Sequence, residues 1–336
     1  MRTIIDAKAA AAAGLAALLV AMPFSTSTLA QDSAARPEIS PMSRVPELRA
    51  KMAGEDDRVF GGKEADKGEW PFQVALLTTE WLDDTVESQA NAQFCGGSLI
   101  APQWVLTAAH CLYDFGAAIA PESVTVLSEA TDLAEGRRLK VAEVIVHEGY
   151  EPATLNNDIG LLRLAEAASA PTVAMTDNNP ESGDATVIGW GMMDDGNFPS
   201  ALMEADIKLF PNAACNSGIK EIYARDISAV LRDHARRMRY SDEAIEQATR
   251  TIAATMNDPL TENMLCAGEA DGARDACNGD SGGPLFTIVD GKPVQVGIVS
   301  WGEGPMDANA SCGHANAYGI YTRLANYRGW IAGKMN

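Results

Sequence analysis

Short runs in which apolar side chains alternate or cluster recur along most of this chain: Gln73–Leu77, Ser123–Leu127, Val141–Val146, Thr186–Ile188 and Val294–Val299, with Trp104-Val105-Leu106 as a briefer buried run. A period of two sends successive side chains to opposite faces, so such runs predict strands that pack on a core by one face or both. Turn residues punctuate them, Gly183-Asp184 and Asp290-Gly291 among them. An all-β protein is expected. The period changes between Cys215 and Cys266, where Ile219, Ile222, Tyr223, Ile227, Val230 and Leu231 fall at helical spacing. After Ser241-Asp242-Glu243, a helix start with acids in its first turn, Ile245, Ala248, Ile252 and Met256 repeat that spacing. The pattern predicts a helical hairpin inserted over residues 217–260 and a short terminal helix over Arg328–Lys334.

The start of the chain follows another pattern. Arg2 and Lys8 precede a fourteen-residue apolar stretch, Ala9–Met22, and Thr28-Leu29-Ala30 supplies small residues at the positions where export signals are cut. The stretch is short for a membrane span, which needs about twenty residues. Residues 1–30 therefore read as a signal peptide, with an uncleaved anchor as the alternative and Asp6 as an unusual feature. Residues 31–58 are polar, contain Pro37, Pro41 and Pro46, and show no periodicity that would build a core. They read as a pro-segment. Residues 59–336 form one large domain, and Glu80–Ala92 reads as an acidic, mobile insertion.

Charge narrows the partners. The chain carries a formal net charge of −20, and its first 58 residues hold equal numbers of acids and bases, so the whole excess lies beyond them. Such a chain does not bind nucleic acid or an anionic membrane through bulk charge, and it attracts basic substrates. Six cysteines in an exported chain suggest three disulfides, with fifteen possible pairings. No CxxC pattern or His/Cys cluster points to zinc. No metal and no cofactor is assigned.

Candidate chemistry gathers in three segments. Gly279-Asp280-Ser281-Gly282-Gly283-Pro284 surrounds a serine with residues that let the backbone turn sharply and approach a substrate. By itself it also fits a surface turn. A serine hydroxyl needs a neighbouring base to become a nucleophile, and N–H donors for the oxyanion it creates. Thr107-Ala108-Ala109-His110-Cys111 supplies a histidine after a buried run, and Asn156-Asn157-Asp158-Ile159-Gly160-Leu161-Leu162 supplies a carboxylate before one. His147, His234 and His314 lack comparable surroundings and read as structural.

With TAAHC, NNDIGLL and GDSGGP in this order, the chain resembles the chymotrypsin/trypsin family of serine endopeptidases from about Val59 to the Asn326–Ile331 segment. The resemblance implies two six-stranded antiparallel β-barrels with the active site between them. It implies Ser281 as nucleophile, His110 as acid and base, Asp158 as its orienting partner, and the N–H groups of Gly279 and Ser281 as the oxyanion hole. It places Asp275 at the floor of a specificity pocket walled by Ser300, Trp301, Gly302 and Gly319, which implies cleavage after Arg or Lys. It implies a zymogen cut after Arg58, whose new Val59 amine pairs with Asp280. It selects the disulfides Cys95–Cys111, Cys215–Cys266 and Cys277–Cys312.

The implied partners are polypeptide substrates, protein inhibitors, and an activating protease or the enzyme itself. No nucleic acid is implied, nor any membrane after signal removal; the location is secreted or periplasmic. Two features depart from the family. Glu303–Ser311 is longer than expected before Cys312, and the 217–260 insertion is expected either to pack on the second barrel or to offer Arg236, Arg237 and Arg239 to a partner. The rivals are a catalytically silent relative and an esterase, whose G-x-S-x-G motif would sit on a parallel-sheet pattern that is missing here.

Overall fold

The computed structural model describes residues 40–52, 62–193, 196–306 and 312–336. The expected signal peptide, Arg58 and Val59, and Asp307–Ser311 of the long rim segment lie outside them. In chain order the elements are α1 (Pro41–Met52), β1 (Lys63–Glu64), β2 (Gln73–Thr78), α2 (Glu87–Ala92), β3 (Gln93–Ala101), β4 (Trp104–Thr107), β5 (Tyr113–Asp114), β6 (Ala117–Ala118), β7 (Val124–Ser128), β8 (Arg137–Val146), β9 (Gly160–Leu164) and β10 (Ala174–Met175). There follow β11 (Gly183–Gly189), β12 (Met203–Phe210), α3 (Asn212–Met238), α4 (Asp242–Thr255), β13 (Met264–Gly268), β14 (Pro284–Val289), β15 (Lys292–Gly302), β16 (Gly319–Arg323) and α5 (Arg328–Met335).

Strands β2-β3-β4-β9-β8-β7 close into one six-stranded antiparallel barrel. Strands β12-β11-β14-β15-β16-β13 form the second, closed by the β12–β13 pairing, with β1 and β10 added at its margins. This is the expected double barrel. Closure leaves neither barrel an open edge inside the ring. The first barrel is filled by Val74, Leu76, Leu99, Leu106, Val126 and Leu161, all buried. The second is filled by Val187, Ile207, Leu265, Leu285, Val296 and Tyr321. A third apolar group, with Phe72, Leu77, Trp190 and Phe286, joins the two.

The helical hairpin is present and begins earlier than its periodicity suggested, at Asn212. Ser241 caps α4 as expected, its Oγ accepting from the N–H of Ala244 at 3.2 Å. The hairpin packs on the second barrel through Cys215 and Ile219, beside Leu260, Met264 and Tyr318. Val230 and Ile252 stay exposed, since the far end of the hairpin reaches beyond the barrel surface.

Two expectations are corrected. Glu80–Ala92 is not a loose loop: it includes α2, and Arg138 holds it by donating to the carbonyls of Asp83 and Thr85, to Gln89 Oε1 at 2.7 Å and to Ser88 Oγ at 3.2 Å. Residues 31–58, expected to lack a core of their own, nonetheless carry ordered structure that borrows the first barrel's core. Residues 41–52 form α1, and its Met42 and Val45 are buried with the first barrel's core. Pro46 has no N–H, so it leaves the carbonyl of Met42 without a helical partner. Thr78 Oγ1 of β2 donates to that carbonyl at 3.0 Å and completes the turn from outside the helix.

Candidate active site

His110 sits on a single 3-10 turn, Ala109–Cys111, at the end of β4. Asp158 precedes β9 and is wholly buried. The β4–β9 pairing aligns Thr107 with Gly160, which sets the two side chains face to face. Asp158 Oδ1 accepts the backbone N–H of His110 at 2.8 Å, and Oδ2 lies 2.7 Å from His110 Nδ1. Two contacts to one residue fix both the ring and the turn that carries it. Ser300 Oγ donates to Asp158 Oδ2 at 2.5 Å, and Thr322 Oγ1 donates to the Asp158 carbonyl at 2.6 Å. The buried carboxylate is thus satisfied by donors from both barrels.

Ser281 lies on a turn bound at every step. Asp280 N–H donates to Cys277 O at 3.0 Å, Gly283 N–H to Asp280 O at 2.9 Å and Gly282 N–H to Val299 O at 2.8 Å. The Ser281 carbonyl accepts from Gly96 N–H of β3 at 2.8 Å, which ties the turn to the first barrel. Gly282 has φ +81°, and a β-carbon there would lie 2.1 Å from Thr107 Oγ1, so the serine turn touches the segment leading to His110. The Cys95–Cys111 disulfide stands beside both: Cys111 Sγ is 3.6 Å from the Ser281 carbonyl oxygen and 3.8 Å from His110 Nε2. Gly279 has φ +101°, and among the described residues neither its N–H nor that of Ser281 donates to an acceptor.

The expected pocket residues converge on the second barrel. Gly319 of β16 lies against Asp275, where a β-carbon would come within 2.5 Å of Asp275 Oδ1 and 3.1 Å of the Tyr321 hydroxyl. Gly302 of β15 faces open space. Burial pushes the Asp275 carboxyl up to about 8, the Ala276 N–H pulls it back, and nearby Asp280 pushes further. The buried Tyr321 hydroxyl has no hydrogen-bond partner among the described residues. Ser300 belongs to this wall by its backbone, but its hydroxyl is engaged by Asp158. The rim is braced by the insertion: Tyr223 OH donates to Glu303 Oε1 at 2.8 Å, and Asp226 Oδ2 accepts from Met306 N–H at 3.2 Å. Arg237 and Arg239, offered above as partner contacts, lie exposed at the end of α3.

Asp280 turns away from Ser281. Its carboxylate accepts from Gly191 N–H at 2.7 Å and Cys277 N–H at 2.9 Å. Burial raises it to about 6, against the pull of those two N–H groups and of the Arg49 cation. Behind it lies a cavity of about 30 Å³ bounded by Val187, Gly189, Met192, Glu204, Asp275 and Asp280. The three disulfides are Cys95–Cys111, Cys215–Cys266 and Cys277–Cys312, the pairing implied above. Among the described residues one group of His, Cys and carboxylate atoms lies within ligand range, Cys95, His110 and Cys111, and its sulfurs are bonded to each other. His147 packs edge-on to Tyr327 and beside Trp330, as a structural histidine does. Motif reading missed Thr322, Gln93 and Arg49. Each acts through a tertiary contact that leaves no local pattern.

Two closed barrels, with a His–Asp pair from one and a glycine-bounded serine from the other, define a serine protease scaffold. The trypsin family model matches residues 59–331. The chain is 30% identical over 294 residues to Trypsin-3 of Salmo salar, covering 85% of this chain and 97% of that protein. It is 31% identical over 321 residues to mannan-binding lectin serine protease 1 of Mus musculus, covering 88% of this chain and 37% of that longer protein. The chain belongs to the trypsin family and is a serine endopeptidase. Among the described residues no helix is long and apolar enough to cross a membrane.

Proposed function

We propose that this protein is an exported zymogen of an endopeptidase that cleaves after Arg or Lys, with Ser281, His110 and Asp158 as its catalytic residues. The observation that carries the reading is the doubly bonded His110–Asp158 pair beside the Ser281 turn. Ser281 Oγ attacks the scissile carbonyl while His110 Nε2 takes its proton. Asp158, bonded to Nδ1, fixes the tautomer in which Nε2 acts as the base and stabilises the imidazolium. The N–H groups of Gly279 and Ser281 receive the oxyanion, His110 returns the proton to the leaving amine, and water then releases the acyl group by the same steps.

A substrate cation entering the slot meets Asp275; Gly302 leaves open space for a long side chain, and Gly319, lacking a side chain, lets the Asp275 carboxylate sit against β16. The Ser300–Gly302 edge can pair with an extended substrate backbone. Residues 1–30 direct export and are removed, and cutting after Arg58 frees the Val59 amine. The cavity behind Asp280 is where that amine would pair with the carboxylate, ordering the loop from Cys277 to Ser281. Labelling with a covalent serine reagent, before and after trypsin treatment, tests the site: Ser281 should label strongly only after the cut. Profiling a peptide library tests the slot, with Asp275→Ser expected to remove the Arg/Lys preference. Equal cleavage after Phe or Leu by the unaltered enzyme would sink the specificity reading.

A further inference from the structure

Helix α1 does more than fold against the barrel. It runs along β3 and the turn that carries His110, with β2 and α2 on its other flanks. Met42 and Val45 enter the apolar cluster that holds Phe94, Cys95 and Cys111. Near its end the Arg49 side chain passes into a closed socket. It donates to the Trp190 carbonyl at 2.5 Å and to Gln93 Oε1, and its guanidinium lies 4.4 Å from the centre of the Phe198 ring. Burial lowers Arg49 to about 9 against the pull of Asp280, which leaves it a cation at neutral pH. Arg44, farther up the helix, donates to Asn278 Oδ1. Gln93 extends the contact inward, its Nε2 donating to the Gly279 carbonyl at 2.9 Å.

In the function proposed above Asp275 and Gly319 hold the acyl portion of the substrate, and the leaving amine takes its proton from His110. Helix α1 packs on the turn that carries His110 and reaches Asn278 directly and Gly279 through Gln93, so residues following the scissile bond would meet it. We infer that the mature domain carries a binding groove for α1 on the leaving-group side of the cleft, with a guanidinium socket for Arg49, and that α1 is a tethered blocking helix. It excludes substrates that have residues beyond the scissile bond. Residues 31–58 contain no cysteine, so after the cut at Arg58 no disulfide retains the helix. An isolated helix this short is marginal in water, so occupancy of the groove then depends on peptide concentration.

The inference rests on the peptidase reading, and two substrates separate them. The full chain is cut with trypsin, freed of its pro-segment by gel filtration, and assayed at initial rate. One substrate is an arginine p-nitroanilide, which has no residues after the scissile bond; the other is a quenched peptide with several residues after its arginine. A synthetic peptide of residues 40–52, verified by mass spectrometry to stay intact at Arg44, Arg49 and Lys51 over the initial-rate period, should raise KM for the long substrate at least about fivefold and leave the anilide unchanged. Its Arg49→Ala form should need about tenfold more peptide for the same effect. Equal inhibition of both substrates, no inhibition of either, or an Arg49→Ala peptide as potent as the original would overturn the blocking role. An anilide left uncleaved would instead overturn the peptidase reading beneath it.

Discussion

At the scale of single residues, the Asp275 carboxyl is the group whose charge state matters most. Burial lifts it to about 8, so near neutral pH a large share of molecules hold a neutral acid where the proposed slot would bind a cation. A cationic ligand favours the ionised form, so binding must expel that proton, at about 1.4 kcal/mol for each pH unit below the raised value. Affinity for benzamidine should therefore increase severalfold from pH 6 to pH 8, and competitive inhibition constants across that range would measure it. Asp275→Asn should bind weakly with a flat profile. Stability runs the opposite way. A carboxyl raised above its unfolded value stabilises the fold at pH below about 4, and that contribution is lost as pH climbs through about 8. Asp275→Asn should thus gain more thermal stability over the unaltered protein at pH 8 than at pH 5, read from paired melting curves. The residue was singled out in the sequence only through the family resemblance. Its protonation was not legible there, because it depends on Gly319, Tyr321 and Asp280 closing around it from other strands.

At the scale of elements, strands declared themselves as short apolar runs because most are buried on both faces, β2, β13 and β16 throughout, while alternation marks β8 and β12. The α3–α4 hairpin declared itself through its helical period and the Ser241 cap. The Glu80–Ala92 insertion and α1 did not, for a shared physical reason. Each is a largely polar segment held by residues far away in sequence: Arg138 of β8 for the first, Thr78 of β2 and the first barrel's core, which takes Met42 and Val45, for the second. Arg138 offers a direct test. It bonds four groups of the insertion, and Gln89 also donates to the Leu133 carbonyl at 2.5 Å and to the Glu135 carbonyl at 3.0 Å. Arg138→Ala should cost about 1–3 kcal/mol by leaving those acceptors unmatched. It should also open Asp83–Ser88 to limited proteolysis well before global unfolding. A proteolytic pattern identical to that of the unaltered protein would mean that α2 and its neighbours hold the segment without it.

At the scale of the whole molecule, one acid connects α1 with the candidate site. Asp280 sits between the Arg49 socket on the α1 side and the small cavity behind Gly189 and Gly191 on the other. Its own position is narrowly set: a β-carbon at Gly189 would lie 2.0 Å from Asp280 Oδ1, and one at Gly191 2.3 Å from Oδ2. In the proposed activation a primary amine, ordinarily near 7.7–8.0, enters beside this carboxylate. Pairing raises the amine, so the order it confers is present at and below its unpaired value and fades as pH rises through the raised one. At the acid end the pair weakens as Asp280, held at about 6 before the amine arrives, takes up a proton. The processed enzyme should therefore lose activity reversibly in alkali, in step with the exposure of Val59 to acetylation. Acetylating that amine should abolish the high-activity form at neutral pH while leaving the His110–Asp158 pair intact by NMR of the imidazole proton. Full activity after complete acetylation would mean that the loop from Cys277 to Ser281 is ordered by its own hydrogen bonds and the disulfide to Cys312, with no need for a new terminus.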